Sequence, residues 1–418
     1  MNRKRDRSLW LCGLFILGQV QVEAQGTLPD ASLAAYVALL EARIPGAGTE
    51  AFVEPSAGER AAFASCLQVM LAGDAPGAAA CMALLNYDVS FLNDVGYGRT
   101  YLVAEERSSG FRGLGTYIVD PAFARNIVIA VPHPLYDVNT PGESQQIFQE
   151  IGARALFMAG THRCADSAPS PCTGTTSACG GGAYRISDAA HFDRNFMQAA
   201  HEAVLELTPP PRAFNVHGQS SEPVDVVLSD GTTASAPSSA DVNRLRDSLL
   251  ARGVSAGSCN WQGDAGLNLC GTSNTQGSLY NGSTDPCGTP AAAASGLFLH
   301  LEQKRAIRDD PSLLIEALKE VFSLDGATQV PPPPAGLTAT AGKRRILLGW
   351  QASSGAESYN VKRGKEAGGP YSVIAQGVSS TTYTDAGLTK GVTYHYVVTA
   401  VSSSGESASS DPASAAAN

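Results

Sequence analysis

A run of four prolines at residues 331–334 divides this chain into two parts of different character. Proline fixes its own backbone torsion and lacks an amide hydrogen, so consecutive prolines form a stiff, extended spacer. Every cysteine lies before residue 288, and the part after the prolines is rich in Thr, Ser, Val and Tyr. The sequence therefore predicts two domains, at 25–328 and 335–418, joined by a Pro-rich linker at 329–334.

The part after the linker has the pattern of a small all-β sandwich. Short runs of β-branched and aromatic residues are separated by glycine-containing turns, and Trp350 closes the second run. These runs resemble a fibronectin type III domain over essentially all of 335–418. The resemblance implies that Trp350 is a core residue and that the domain is a spacer or adhesive module contacting a cell surface or a polysaccharide. His395, in a predicted strand, is interpreted as a plain structural residue.

The first 24 residues have the layout of a secretory signal. A basic stretch that includes Arg3 and Arg7 is followed by an apolar run at 9–17 and by a small-residue exit near Ala24. No other stretch approaches the roughly 20 apolar residues that a membrane helix needs. We therefore expect a mature chain that starts near Gln25, has no membrane span and is secreted or periplasmic.

Removal of the signal would leave eight cysteines, an even number that favours disulfides in an exported protein. Cys66 and Cys81 flank a short helical hairpin and are predicted to pair. The pairing of the remaining six stays open: Cys164, Cys172, Cys179, Cys259, Cys270 and Cys287. The formal net charge of −10 disfavours nucleic acid and anionic membranes as partners.

The first domain alternates strand-like and helical segments after an Ala-rich helical opening at 28–90. This alternation predicts an α/β domain with a mixed sheet and helices on both faces. Two long stretches rich in Gly, Ser, Thr and Pro, at 165–183 and 255–295, are predicted to be loops. Because six cysteines lie in or beside them, we expect disulfides to hold these loops in place.

Two histidines and a carboxylate fall where strands of this domain are predicted to end. His133 follows the apolar run at 126–131, Asp137 comes four residues later, and His217 ends another short apolar run. Open α/β sheets place their chemistry at the carboxyl ends of strands. Two imidazoles and a carboxylate hold a catalytic Zn²⁺ with one position left for water. The sequence therefore predicts that His133, Asp137 and His217 bind Zn²⁺, with Glu143 as the alternative carboxylate.

A glutamate and an arginine complete the predicted chemistry. Glu302 lies in a late apolar strand, and a buried carboxylate needs a partner, which water on the metal would supply. Glu302 is therefore predicted to be the general base, the alternative being an ion pair with Arg305 or Arg308. Arg163 follows His162 at a strand end, and its planar guanidinium suits an oxyanion or a substrate carboxylate. The alternative is a surface arginine.

The order of these motifs is similar to that of a known family. The motifs are His133 with Asp137, the stretch at 152–163, His217 followed by glycine, and HisXGluGln at 300–303. They resemble the zinc carboxypeptidase-like hydrolases, in particular the N-formylglutamate amidohydrolases, over roughly 126–322. The resemblance implies the same three zinc ligands and the same general base. The departure is the first pair, because carboxypeptidases use HisXXGlu and this chain has Asp one residue further along.

Further residues are predicted to contact substrate. Asp188 and His191 stand where the amidohydrolase relatives have AspXAsnArg, which binds a substrate carboxylate, although Asp188 is also placed to cap the following helix. A polar, glycine-bearing loop is predicted to present the amide side chains of Asn274 and Gln276. His162, at the end of a third predicted strand, is included with them.

These observations predict an exported zinc-dependent hydrolase acting through a water activated by Glu302. The expected substrate is an amide bond in a peptide, an N-acyl amino acid or a cell-wall fragment, with an ester or a polysaccharide substituent as a further alternative. A hypothesis from another class is a non-catalytic secreted binding or adhesion protein on a hydrolase fold that has lost its metal. One zinc per chain in the purified protein would favour the enzyme.

Overall fold

The computed structural model of the chain describes residues 28, 31–322, 331, 333–353, 356–402 and 405–418. The predicted secretory signal at 1–24 lies outside these residues, as does part of the predicted linker. Among the described helices, none combines the length and the apolar character needed to cross a membrane.

Nine α-helices lie in the described part that precedes the linker. They are α1 (Leu33–Glu41), α2 (Ala57–Leu71), α3 (Ala75–Met82), α4 (Thr140–Ile151), α5 (Phe196–Leu205), α6 (Asp241–Ala251), α7 (Thr275–Tyr280), α8 (Arg305–Asp309) and α9 (Ser312–Val321). Several begin at side-chain caps that satisfy the free amides of a first turn. Ser56 and Glu59 form a capping box at α2, and Asn195 and Asn274 cap α5 and α7.

Eleven strands lie in the same part of the described chain. They are β1 (Tyr87–Asp94), β2 (Arg99–Glu106), β3 (Thr116–Val119), β4 (Arg125–Val131), β5 (Ala153–Met158), β6 (Thr175–Thr176), β7 (Gly182–Ala183), β8 (Arg212–Gly218), β9 (Val226–Ser229), β10 (Ala256–Ser258) and β11 (Phe298–Gln303). Nine of them form one sheet in the order β1-β2-β3-β5-β4-β8-β11-β9-β10, and β6 and β7 form a separate ribbon.

The centre of this sheet is parallel. Strands β5, β4, β8 and β11 run in one direction, and antiparallel pairs flank them on both sides. The carboxyl ends of the four central strands therefore meet at one edge. In α/β sheets this edge is where loops assemble a site.

The two faces of the sheet are covered by different helices. Helices α1, α4, α6 and α9 pack on one face, and α2, α3, α5 and α7 on the other. Residues of β4 alternate between the two cores, with Ile127 and Ile129 in one and Val128 and Ala130 in the other. Because successive side chains of a strand point to opposite faces, each central strand is buried on both sides. This confirms the predicted mixed sheet with helices on both faces.

Two details of the predicted organisation needed the structure. The opening part predicted as helical at 28–90 contains α1, α2 and α3 but ends in β1, which forms a hairpin with β2. The predicted Cys66–Cys81 disulfide is confirmed. The other six cysteines pair as Cys164–Cys179, Cys172–Cys287 and Cys259–Cys270.

The part after the linker is an all-β sandwich, as predicted. Its strands are β12 (Thr338–Gly342), β13 (Arg345–Gly349), β14 (Ser358–Gly364), β15 (Ser372–Val378), β16 (Thr382–Ala386), β17 (Thr393–Ser402), β18 (Gly405–Glu406) and β19 (Ala413–Ala416). One sheet has the order β12-β13-β16, and the other has β15-β14-β17-β18 with β19 paired to β17. Trp350 is buried in the core between them, and His395 is half-buried.

We predict that Phe63→Ala destabilises the first domain strongly. The Phe63 ring is fully buried, stacks on Phe196 at a centroid distance of 4.2 Å and lies 4.7 Å from the ring of Tyr117. Its loss should lower the free energy of unfolding by about 3–5 kcal/mol, because a cavity replaces a packed ring. Urea denaturation of the variant and the native protein measures the difference.

The matched control is Leu84→Ala, a truncation of a side chain that is 87% exposed. It should change the free energy of unfolding by no more than about 0.5 kcal/mol. Equal effects of the two substitutions would contradict the described core.

Candidate functional site

Three side-chain atoms converge where β4 and β8 end. His133 Nδ1 lies 3.1 Å from Asp137 Oδ2 and 3.1 Å from His217 Nδ1, and His217 Nδ1 lies 3.4 Å from Asp137 Oδ2. Tetrahedral zinc ligands at about 2.0–2.1 Å from the metal lie about 3.3–3.4 Å from one another. We call these three residues the triad. Their separations fit one divalent metal, and the structure brings together the three residues predicted as ligands.

The negative charge of Asp137 favours either a proton or a metal ion within the triad. His133 Nε2–H donates to the carboxylate of Asp188 at 2.8 Å, so Nδ1 faces Asp137 either with a lone pair, in the neutral ring, or with a donated proton, in the protonated ring. Two acceptors at 3.1 Å repel unless a proton or a metal lies between them. Burial and the Arg163 charge act to lower the pKa of His133, but the Asp188 and Asp137 carboxylates outweigh them and raise it.

The pKa values of the other two triad residues are shifted by the same group of neighbours. Burial acts to raise the pKa of Asp137, but hydrogen bonds from His133 and His217 hold it below its ordinary value. Burial lowers the pKa of His217 well below its ordinary value, with the His300 charge acting in the same direction. Asp137 is therefore an ionised carboxylate and His217 a neutral imidazole, which are the protonation states that bind metal.

Asp188 is the carboxylate that orients His133. Its Oδ1 also accepts from His191 Nδ1 at 3.0 Å and from the amide of Ala190 at 3.2 Å, while Oδ2 accepts from Arg163 Nε at 2.9 Å. Burial acts to raise the pKa of Asp188, but the neighbouring charges of Arg163 and the histidines hold it well below its ordinary value. The predicted substrate contact by Asp188 is therefore not seen. The carboxylate is 1% exposed and already has a full set of donors.

The guanidinium of Arg163 uses part of its hydrogen-bonding capacity on Asp188. Two of its three nitrogens, Nε and Nη2, donate to Asp188, and the remaining Nη1 lies 3.5 Å from His133 Nδ1. The alternative of a surface arginine is wrong, because the residue is only 9% exposed. Its Nη1 is left beside the triad, which is where the predicted clamp requires a donor.

Glu302 lies beside the triad because of strand register. In the parallel pair of β8 and β11, Glu302 is the partner of His217, so both side chains point to the same face. Its Oε1 lies 3.2 Å from His300 Nε2. Burial raises the pKa of Glu302, and His300 opposes that effect. The alternative ion pair with Arg305 or Arg308 is not present, since Arg305 pairs with Asp309 instead.

His300 is a site residue that the sequence interpretation missed. Its ring lies 4.5 Å from the ring of His217, and it is 4% exposed. The signal was available: in HisXGlu on a strand the two side chains share a face, so a predicted base at 302 implies a neighbour at 300. His300 therefore contacts both the Glu302 carboxylate and the ring of a triad residue.

Three predicted substrate contacts lie elsewhere or are engaged. Asn274 caps α7 by accepting from the Gly277 amide at 2.9 Å, and Gln276 donates to the carbonyl of Ala189 at 2.9 Å. Both are fully buried: Asn274 serves the start of α7, and Gln276 attaches that helix to the neighbouring loop, so their contact with substrate stays a prediction. His162 Nδ1 accepts from the Cys164 amide at 2.9 Å, and its ring is half-buried outside the triad.

His191 reaches the site through Asp188. Its ring stacks on Tyr184 at a centroid distance of 3.8 Å, and 13% of its side chain is exposed. Burial lowers the pKa of His191, although Asp188 opposes that effect. A neutral imidazole therefore stands where the resemblance has an arginine, so this position lacks the cation that binds a carboxylate.

Other metal-type groupings in the described chain are weaker. His133, Asp188 and His191 also lie close together, but Arg163 already neutralises that carboxylate. Cys172 and Cys287 lie near Asp193, but their sulfurs form a disulfide. Glu143, the alternative carboxylate ligand, forms no part of the triad and is completely buried.

The two long loops meet over this edge of the sheet. The Cys172–Cys287 disulfide joins them, Tyr184 OH and Ser273 Oγ lie 2.8 Å apart, and the Thr275 amide donates to the Ala190 carbonyl at 2.9 Å. The second loop packs on His300, because a Cβ at Gly271 would be 2.7 Å from that ring. This confirms the expectation that disulfides hold the loops.

The triad is closed off from bulk solvent. His133, Asp137 and His217 are 1%, 4% and 3% exposed, and the more accessible groups around them are Arg163, Glu302 and His191. A half-open cavity of about 470 Å³ lies at the same edge of the sheet, beside Gly160, and no triad residue lines it. A ligand of the triad must therefore approach along the accessible groups.

Comparison with known proteins identifies the second domain. The fibronectin type III domain model matches residues 332–416, so this part of the chain is a fibronectin type III domain. Among curated proteins, an amylopullulanase from Thermoanaerobacter thermohydrosulfuricus is 40% identical over 95 residues, which are 21% of this chain and 6% of that protein. A poly(3-hydroxybutyrate) depolymerase from Delftia acidovorans is 35% identical over 108 residues, 24% of this chain and 21% of that protein.

The solved structures agree in extent. An Fn3-like protein from Clostridium thermocellum is 43% identical, covers 21% of this chain and 95% of its own length, and has a TM-score of 0.21. The chain thus spans only a small part of the curated relatives it matches.

We predict that His133→Ala and His217→Ala each lose bound zinc while staying folded. A site with three protein ligands loses most of its affinity when one is removed, more than the roughly 10–100-fold lost with an outer partner. Zinc per chain after dialysis, with circular dichroism for folding, measures this. His395→Ala, in the second domain, is the control and should keep zinc. Retention of a full equivalent by either triad variant would remove that histidine from the site.

Asp188→Asn should weaken zinc binding by about 10–100-fold without removing a ligand. Asparagine cannot offer His133 Nε2–H an ionised acceptor, so the ring loses its orientation and its basicity. Competition with a chelator measures the affinity. Asp88→Asn, which changes a side chain that is 62% exposed, is the control. Equal zinc affinity in the Asp188 variant and the native protein would mean that Asp188 only anchors Arg163.

Proposed function

We propose that this chain is an exported zinc-dependent hydrolase that cleaves an amide bond. The observation that supports this most directly is the convergence of His133 Nδ1, His217 Nδ1 and Asp137 Oδ2 beside Glu302. Two imidazoles and a carboxylate with a nearby free carboxylate are the donor set of a catalytic zinc site. The nine-stranded sheet with helices on both faces supports the zinc carboxypeptidase-like resemblance. The four disulfides suit an oxidising compartment.

Each residue around the triad has a distinct part in this proposal. Zinc bound there supplies a Lewis acid that polarises a carbonyl and lowers the pKa of water. His133 is held by Asp188, so its Nδ1 lone pair stays directed at the triad. Asp137 contributes the negative charge, and His217 enters from the end of β8. Because only Asp137 binds the metal in this proposal, the charge of the second carboxylate, Asp188, is neutralised by Arg163.

Glu302 is the proposed general base. His300 Nε2 holds its Oε1, which leaves Oε2 to accept the proton of the attacking water and later to pass it to the leaving amine. Burial raises the pKa of Glu302, which brings a carboxylate closer to the pH at which it must both take and give a proton. A positioned base of this kind contributes about 10²–10⁴-fold to the rate.

Arg163 is the proposed cation for the tetrahedral oxyanion. Only its Nη1 is free of Asp188, and that nitrogen lies 3.5 Å from His133 Nδ1. Because Nε and Nη2 are fixed, the guanidinium is oriented before substrate arrives, which is the condition for effective electrostatic stabilisation. Arg163 is therefore both a structural partner of Asp188 and a catalytic donor.

The proposed substrate is a peptide, an N-acyl amino acid or a cell-wall fragment. The resemblance implies a carboxylate next to the cleaved amide, but neutral His191 stands in place of the arginine that would bind it. Because the one free nitrogen of Arg163 is assigned to the oxyanion, that substrate carboxylate has no dedicated arginine in this site. An aromatic surface lies beside Arg163 instead. Tyr136 is 43% exposed, and its ring centroid lies 5.1 Å from the guanidinium carbon of Arg163.

The fibronectin type III domain is proposed to contact a polymer or a cell surface. Two of its relatives are named as an amylopullulanase and a poly(3-hydroxybutyrate) depolymerase, enzymes that are much longer than the matched segment. The same domain supports a second candidate function, that of a non-catalytic secreted binding protein. Metal analysis separates the two, because the enzyme requires one zinc per chain and the binding protein requires none.

Glu302→Gln tests the proposed chemistry. Glutamine has nearly the same shape and still hydrogen-bonds water, yet it cannot take a proton. We expect turnover to fall by about 10²–10⁴-fold, with zinc content unchanged. The measurements are turnover on a peptide or N-acyl amino acid hydrolysed by the native protein, zinc per chain and the thermal midpoint.

Glu316→Gln is the matched control, because that side chain is 64% exposed on α9. It should leave all three measurements unchanged. An active but destabilised Glu302→Gln protein would mean that Glu302 serves the fold, and the assignment as base would then fail.

A further inference from the structure

A second buried polar group lies on the other face of the sheet, across from the triad. Its members are Glu143 in the first turn of α4, Gln303 at the end of β11 and Arg308 in α8, which are 0%, 0% and 7% exposed. Within the described chain, both oxygens of Glu143, both amide atoms of Gln303 and Nε of Arg308 have no hydrogen-bond partner. The Arg308 guanidinium also forms no ion pair with any described residue. Buried polar atoms without partners point to something that satisfies them.

The three side chains face one place. Gln303 is the register partner of Gly218 across β8 and β11, and it points to the face opposite Glu302 and His217. A Cβ at position 218 would lie 1.6 Å from Arg308 Nη1, so the guanidinium occupies space that only glycine leaves. Gln303 lies close enough to Glu143 to act on its carboxyl as a weak hydrogen-bond donor, and it and the Arg308 charge both lower the pKa of Glu143 against the effect of burial. Arg308 and Gln303 therefore both lie beside the backbone at Gly218, directly after a triad residue.

The charge balance selects the kind of ligand. An arginine stays protonated in any protein interior. Burial raises the pKa of Glu143 to about 8, with Arg308 opposing the shift, so the carboxyl is largely protonated at neutral pH. The group then has one buried positive charge, the two N–H donors of the Gln303 amide and one O–H donor. A cation would be repelled, and water alone would leave the charge uncompensated.

We propose that Glu143, Gln303 and Arg308 form an internal binding site for one small monovalent anion, of the size of chloride or of a single carboxylate group. Arg308 and Gln303 donate to the anion, and Glu143 donates its proton. Because Arg308 lies against Gly218, an occupied site also holds the end of β8, which carries His217. This inference does not depend on hydrolase activity or on the presence of zinc.

Thermal unfolding of the full chain in different potassium salts at constant ionic strength tests the proposal. Gluconate, which is too bulky for the site, is the reference anion, and chloride and acetate are the two probes. We expect the midpoint to rise by about 2–4 °C as either probe saturates. A response to chloride alone would identify an inorganic-anion site, and a response to acetate alone would identify a carboxylate site. Equal midpoints in all three salts would overturn the proposal.

Two variants and a control assign the effect to these residues. Arg308→Gln should lose the salt-specific rise even if its midpoint in gluconate is lower, because the slope and not the starting value is read. Glu143→Gln keeps a neutral donor and should retain the rise. Arg305→Gln, in the same helix with a side chain that is 55% exposed, is the control and should respond as the native protein does. An unchanged rise in Arg308→Gln would place the anion elsewhere.

Crystals soaked in bromide give a direct readout. Anomalous scattering should show one bromide between Arg308 and Gln303 in the native protein and none in Arg308→Gln. Ordered waters only at this position would sink the inference. Failure here would leave the proposed hydrolase untouched, since Glu302→Gln tests that chemistry on the other face.

Discussion

The parallel register between β8 and β11 is the constraint on which the site depends. It sets His217 beside Glu302 on one face, and Gly218 beside Gln303 on the other. A slip of one residue would turn Glu302 away from His217 and towards the Arg308 side, because side chains alternate along a strand. The apolar residues between them prevent the slip: Val216 and Leu301 belong to the core that α4, α6 and α9 cover. Hydrophobic packing thus fixes the position of the proposed base relative to His217, a proposed metal ligand.

The residues that orient His133 lie in loops and not in strands. Arg163 and Asp188 lie on either side of the first long loop, yet they meet and together orient His133. Long glycine-rich loops are costly to order, and here disulfides and the capped helix α7 reduce that cost. The Cys164–Cys179 bond begins at the residue after Arg163, and the Cys172–Cys287 bond ties the first loop to the second. The two disulfides therefore restrain the loop that separates Arg163 from Asp188.

The local hydrophobic pattern of the sequence predicts the site residues that lie at strand ends. His133 and His217 end apolar runs, and the convergence of parallel strand ends follows from the fold class. Asp188 could be found only as a sequence resemblance, because its contact with His133 spans 55 residues and a loop has no periodicity to read. Asn274 misled the interpretation for a different reason: an amide in a polar loop is equally suited to substrate and to a helix cap, and the cap is satisfied locally. Strand β1 was missed because Ala-rich helices precede it directly, whereas β2 contains a predicted strand at 100–103.

The two faces of the sheet at the ends of β8 and β11 bury charges of opposite sign. On one face, the carboxylates of Asp137 and Asp188 are both buried. Arg163 pairs with Asp188, and the Asp137 carboxylate contacts the histidines of the triad. On the other face, Arg308 brings a positive charge in, and the nearby carboxyl of Glu143 is protonated rather than paired with it. Because an uncompensated buried charge is strongly unfavourable, the two proposed ions, a metal on the first face and an anion on the second, would each compensate a buried charge. The two proposed sites therefore take ions of opposite sign and adjoin consecutive residues of β8, His217 and Gly218, on opposite faces of the sheet.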